Sequence, residues 1–160
     1  MATSSPGLRA WAAEIPAQDT PYPGTLKLAV DLGDAPKRVF RVRESIPVKA
    51  GPLSLYYPQW IPGEHAPSGP IDNIAGLVIT ANGKRLPWRR DLRDMYTLHL
   101  DVPAGAEQIE LVFQFLSPGE GEGGEFGASA SSTPALVDLE FNQVLFYPAG
   151  YYASRIPVQT

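Results

Sequence analysis

The sequence predicts an all-β domain, an antiparallel β-sandwich of short strands joined by long Pro/Gly-rich loops. Short runs alternate apolar and polar side chains, the period of a half-buried strand, and turn residues separate them at regular spacing. Seventeen prolines and fifteen glycines in 160 residues cut the chain into pieces too short for long helices. No segment sustains a 3.6-residue period with capping signals; a weak one at 8–14 comes nearest.

Residues 1–24 are rich in Pro, Ala and Ser, without sustained period, and read as a tail or linker ahead of a domain at 25–160. TLKLAVD (25–31) then sets Leu26, Leu28 and Val30 against polar or small partners, as a half-buried strand does. RVFRVRESIPV (38–48) places Val39, Val42 and Ile46 among arginines, and LSLYYPQ (53–59) follows a turn. IAGLVITA (74–81) is an apolar strand ended by Asn82-Gly83, a strong hairpin signal because both turn positions need positive φ. KRLPW (84–88) is the expected return strand.

MYTLHLDVP (95–103) alternates Tyr96, Leu98 and Leu100 with Thr97, His99 and Asp101, which predicts His99 as an outward surface residue. After the turn at Ala104-Gly105, QIELVFQFL (108–116) alternates Ile109, Leu111, Phe113 and Phe115. ALVDLEF (135–141) and QVLFYP (143–148) are further candidate strands, and YASRIPV (152–158) a last edge strand. SPGEGEGGEFGASASSTP (117–134) reads as a mobile surface loop; its negative charge and lack of a following Lys or helix argue against phosphate binding.

Composition narrows the function. A net charge of −4 argues against nucleic acid, which needs a basic face. The basic cluster WRRDLR (88–93) holds Asp91 and adjoins Asp94, and reads as a solvated, self-neutralised turn. No run has the apolar length of a membrane span. With no cysteine there is no thiolate nucleophile, disulfide or zinc-thiolate site. The only histidines, His65 and His99, do not begin an HExxH, so no metal site and no catalytic residue is expected. Ser68, His65 and Asp72 share one loop, but nothing like a GxSxG elbow supports a triad there.

The loop YYPQWIPGEHAPSGPIDN (56–73) is the candidate site. Its prolines at 58, 62, 67 and 70 fix φ and remove donors, and Gly63 and Gly69 permit tight bends. A loop so stiffened presents Trp60, Pro62, Gly63, Glu64, His65, Ser68 and Asp72 in set positions, either to a partner or as a structural corner with Trp60 buried beneath it. Tyr147, Tyr151 and Tyr152 are candidate partner-facing aromatics; stacked against a sugar ring they would make an independent carbohydrate- or peptide-binding module.

WIPGEH (60–65), the GP at 69–70, W-x-R-D at 88–91 and LFYPAG (145–150) together resemble the N-terminal domain of the glycyl aminopeptidase family of zinc metallopeptidases, over roughly residues 25–152. The resemblance implies a non-catalytic β domain, the front of a longer enzyme whose HExxH helix, zinc and acid/base lie in a thermolysin-like domain that follows, often with a PDZ domain after it. The implied partners are that C-terminal catalytic domain of the same polypeptide and the parent enzyme's peptide substrate. The implied setting is periplasmic or secreted.

Overall fold

The computed structural model describes residues 15–118 and 130–160. The weak helical period at 8–14 and most of the expected mobile loop, residues 119–129, lie outside the described residues. Among the described residues twelve strands follow in chain order: β1 Leu26–Asp31, β2 Val39–Pro47, β3 Gly51–Tyr56, β4 Ile74–Ala81, β5 Lys84–Leu86, β6 Trp88–Arg90, β7 Thr97–Val102, β8 Gln108–Leu116, β9 Ser131–Ser132, β10 Val137–Asp138, β11 Tyr147–Pro148 and β12 Val158–Gln159. The helical turns among the described residues are short 3-10 segments at Ala35–Lys37, Ile71–Asn73, Phe141–Val144 and Ala153–Arg155.

The strands form a six-stranded sheet, β12-β1-β2-β8-β4-β5, a four-stranded sheet, β11-β3-β7-β6, and a small β9–β10 pair. Pairing is antiparallel except between β12 and β1, which run parallel. The long β2–β8 ladder runs from Val39↔Leu116 to Pro47↔Gln108 and forms the spine of the larger sheet.

Alternation decides which side chains meet between the sheets. From the larger sheet come Leu26, Leu28, Phe40, Val42, Ile46, Ile109, Leu111, Phe113 and Phe115; from the smaller come Leu55, Leu98, Leu100 and Val102. Burying each such side chain contributes roughly 1.5–3 kcal/mol. Phe146 closes the core, edge-on to Phe113 at 5.6 Å and to Tyr57 at 5.4 Å.

Several strands depart from the sequence reading. The inward row of β2 is Phe40, Val42, Glu44 and Ile46, a strict period of two that places a carboxylate in the core. Residues 84–88 do not make one return strand. Pro87 has no N–H for a ladder, and the chain changes sheet there, β5 staying with β4 while β6 joins β7. The strands expected at 135–141, 143–148 and 152–158 shrink to two-residue pairings around 3-10 turns. The hairpin at Asn82-Gly83 has positive φ at both positions, 49° and 73°.

Residues 15–24 lie along the C-terminal segment. Gln18 N–H donates to Gly150 O at 3.1 Å, Tyr22 N–H to Arg155 O at 3.1 Å, and the Tyr22 hydroxyl to Pro47 O.

Candidate functional site: a groove on the four-stranded sheet

The proline-rich loop joins β3 to β4. Gly69 N–H donates to Gln59 O at 3.0 Å and Glu64 N–H to Ile61 O at 3.0 Å, so the loop closes on itself. Gly69 is buried at the pinch, where a Cβ would come 1.9 Å from the Pro58 carbonyl oxygen. The Tyr96 hydroxyl donates to Pro67 O at 3.0 Å and ties the loop to the turn before β7. Ile61, not Trp60, is the buried anchor: Ile61 sits in the core side of the loop while Trp60 is 63 % exposed. A corner with Trp60 buried beneath it is therefore not what forms.

Beside this loop, the outward face of the four-stranded sheet is concave. It forms a groove of about 1400 Å³ whose lining includes Ser54, Tyr56, Trp60, Arg89, Asp91, His99 and Tyr147. Of the residues singled out in the sequence, Trp60, Tyr147, Tyr151 and Tyr152 meet at this groove. Pro62, Gly63, Glu64, His65, Ser68 and Asp72 do not line it. Among the described residues no side-chain hydrogen bond joins Ser68, His65 and Asp72. Tyr147 stands edge-on to Tyr56 at 5.9 Å, and Tyr151 edge-on to Tyr22 at 4.9 Å. Burial, then neighbouring Tyr56, raises the Tyr147 phenol above its ordinary value.

The floor carries a line of polar groups. Ser54 on β3 pairs in register with His99 on β7, and His99 with Arg89 on β6. Ser54 Oγ lies 2.9 Å from His99 Nδ1, and Asp91 Oδ2 lies 2.9 Å from His99 Nε2. Asp91 also accepts from the N–H groups of Arg93 at 2.8 Å and Asp94 at 3.0 Å. The His99 bond, then those two amides, lower the Asp91 carboxyl to about 2.

His99 is thus not a surface residue but 5 % exposed, with both ring nitrogens engaged. Alternation did place it on the outward face; what alternation misses is that this face is concave and has its own polar chain. Ser54 and Asp91 were missed because their meeting depends on the β3–β7 and β6–β7 registers. The 88–94 segment also differs from a wholly solvated, self-neutralised turn. Asp91 directs its carboxylate to His99, and the turn beyond it holds up Leu92, 100 % exposed, and Met95. With Ile15, Trp60 and Tyr152, these are large, well-exposed apolar side chains bordering one groove.

Among the described residues no group of three or more His, Cys, Asp or Glu is placed to hold a metal ion, and no helix is long and apolar enough to cross a membrane. With His65 exposed on the loop and His99 tied to Ser54 and Asp91, the residues present do not fit a catalytic zinc site.

No curated protein matches this chain. The crystal structure of an aminopeptidase N family protein from Idiomarina loihiensis is similar in fold, with a TM-score of 0.62 at 16 % identity. The similarity covers 79 % of this chain and 20 % of that one, so the chain spans a fifth of that protein's length. A family model, the peptidase M61 N-terminal domain, matches residues 27–160, which takes in both sheets, the proline-rich loop and the groove floor. The chain belongs to the peptidase M61 N-terminal domain family.

Proposed function

We propose that this chain is the non-catalytic N-terminal domain of a zinc aminopeptidase, a β-sandwich at 25–160 that packs on the catalytic domain of the same polypeptide and helps shape the cleft its peptide substrate enters. The observation that carries this reading is the gathering of Ile15, Trp60, Leu92, Met95 and Tyr152 around one groove. Scattered exposed apolar residues are ordinary, but a contiguous apolar rim signals a partner. The occupant is the domain that follows, a reading supported by the family, which is of N-terminal domains, and by the similar fold's making up only 20 % of a longer chain in the aminopeptidase N family protein. The loop that carries Trp60, held by its prolines and by the Gly69 pinch, loses little conformational freedom on contact, which favours docking.

Kinetics of the complete polypeptide test this. Trp60→Ala or Leu92→Ala, both on the groove rim, should change KM or kcat, by up to about a hundredfold if substrate is misplaced by an ångström, while zinc content stays intact. His65→Ala should do the same or nothing. Unchanged kinetics in both Trp60→Ala and Leu92→Ala would refute the cleft-shaping role.

The aromatic lining of the groove, Tyr56, Trp60 and Tyr147, favours one second reading, an independent carbohydrate- or peptide-binding module. Saturable quenching of tryptophan fluorescence in the isolated chain by an oligosaccharide or a short peptide, lost in Trp60→Phe, would support it over docking.

A further inference from the structure

The polar line on the groove floor runs from Ser54 through His99 to Asp91. The Asp91 carboxylate only accepts, so Nε2 carries a hydrogen toward it, and in the tautomer with Nδ1 bare that nitrogen accepts from Ser54 Oγ–H at 2.9 Å. A serine hydroxyl against one imidazole nitrogen, whose other nitrogen is held by a carboxylate, is the arrangement that activates serine nucleophiles. The three groups come from separate, well-held places: β3, the middle of β7 and the residue after β6. They open on a groove walled by Tyr56, Trp60 and Tyr147.

We propose that Ser54 is a base-activated nucleophile that accepts an acyl or phosphonyl group from an electrophile with an apolar or aromatic tail lying against that wall. This chemistry uses no zinc domain, and it needs the groove open to the electrophile, as it is in the chain by itself. With an aryl ester, Ser54 Oγ bonds to the carbonyl carbon as its proton passes to His99 Nδ1, and Asp91 stabilises the imidazolium through Nε2–H. Collapse of the tetrahedral intermediate breaks the bond to the aryl oxygen. The departing phenoxide takes the proton from Nδ1, leaving O-acyl Ser54 and a phenol. Arg89, in register with His99, brings a positive charge to the same row. The strand amides around Ser54 serve the sheet, and each backbone donor aimed at an oxyanion is worth about 10²–10³ in rate. The reaction expected is therefore slow, single modification of Ser54 and not rapid turnover.

Incubating the 160-residue chain with an alkyl fluorophosphonate, and mapping the adduct by peptide mass spectrometry, provides the test. Ser54 Oγ should displace fluoride with its proton passing to His99, giving one adduct on Ser54 that is absent in Ser54→Ala. Its formation should slow by at least about a hundredfold in His99→Gln and in Asp91→Asn. Near-UV circular dichroism separates lost activation from lost fold, and Asp91→Asn keeps the test decisive if His99→Gln unfolds. No Ser54 adduct in excess reagent, or an adduct formed at an unchanged rate in folded Asp91→Asn, would overturn the proposal.

Discussion

Replacing Glu44 with Gln should make the domain more stable as pH rises, by an amount that can be worked from the structure. Glu44 is 0 % exposed on the inward face of β2, opposite Leu28 of β1 and Leu111 of β8. Its Oε2 accepts from Phe146 N–H at 2.9 Å, and its Oε1 has no hydrogen-bond partner among the described residues. Burial raises the carboxyl well above its ordinary value of 4.5, and the Phe146 bond offsets this only in part. Below pH 4.5 both folded and unfolded chains hold the proton, so Glu44 adds no pH dependence. Above it the unfolded chain releases a proton that the folded chain keeps, and stability falls by about 1.4 kcal/mol per pH unit until Glu44 ionises in the fold.

Glu44→Gln removes that slope and keeps an oxygen for Phe146 N–H. The stability difference between variant and parent should grow by about 1.4 kcal/mol per unit from pH 4.5 upward and level off where Glu44 ionises in the fold. Each kcal/mol moves Tm by roughly 2–4 °C at this size. Other titrating groups are common to both proteins and cancel. Urea denaturation of the two chains at pH 5, 6 and 7, followed by tryptophan fluorescence, reads the difference directly. Parallel stability curves across that range, or a variant that loses ground as pH rises, would refute the reasoning.

Gly69→Ala should destabilise the domain by about 2–3 kcal/mol or open the proline loop, because the new Cβ meets backbone that cannot swing aside; loss of Tyr96–Pro67 contacts in NMR spectra would report it, and a wild-type Tm would contradict it. At acid pH the Asp91 bonds act in the opposite sense to Glu44. Its carboxyl sits at about 2 in the fold against an ordinary 3.8, so stability present above 3.8 is lost as pH falls toward 2, and Asp91→Asn should flatten that part of the curve.

What the sequence revealed and what it hid divide along physical lines. Ile109, Leu111, Phe113 and Phe115 announced the inward face of β8 because a long ladder buries one face uniformly. Asn82-Gly83 announced its turn because few residue pairs accept positive φ at both positions. Glu44 hid the corresponding row of β2, since a carboxylate ordinarily marks solvent, and here its proton and the Phe146 amide allow burial. The ends of the chain were least legible. Tyr147 and Val158 pair through two-residue strands set by the partner edge, not by any pattern of their own. The aromatic half of the groove was visible as Trp60 and the late tyrosines. Its Ser54–His99–Asp91 floor was not, since those residues meet only through strand register.

Packing of the groove rim against the rest of a longer polypeptide, as proposed, would shield its side chains. Hydroxyl-radical footprinting of the isolated chain and of the complete polypeptide tests it side chain by side chain. Trp60, Leu92 and Met95, all exposed here, should oxidise several-fold more slowly in the complete protein. Val112 and Leu116, exposed on the outer face of the six-stranded sheet, should be unchanged. Equal oxidation of Trp60, Leu92 and Met95 in both forms would contradict the account.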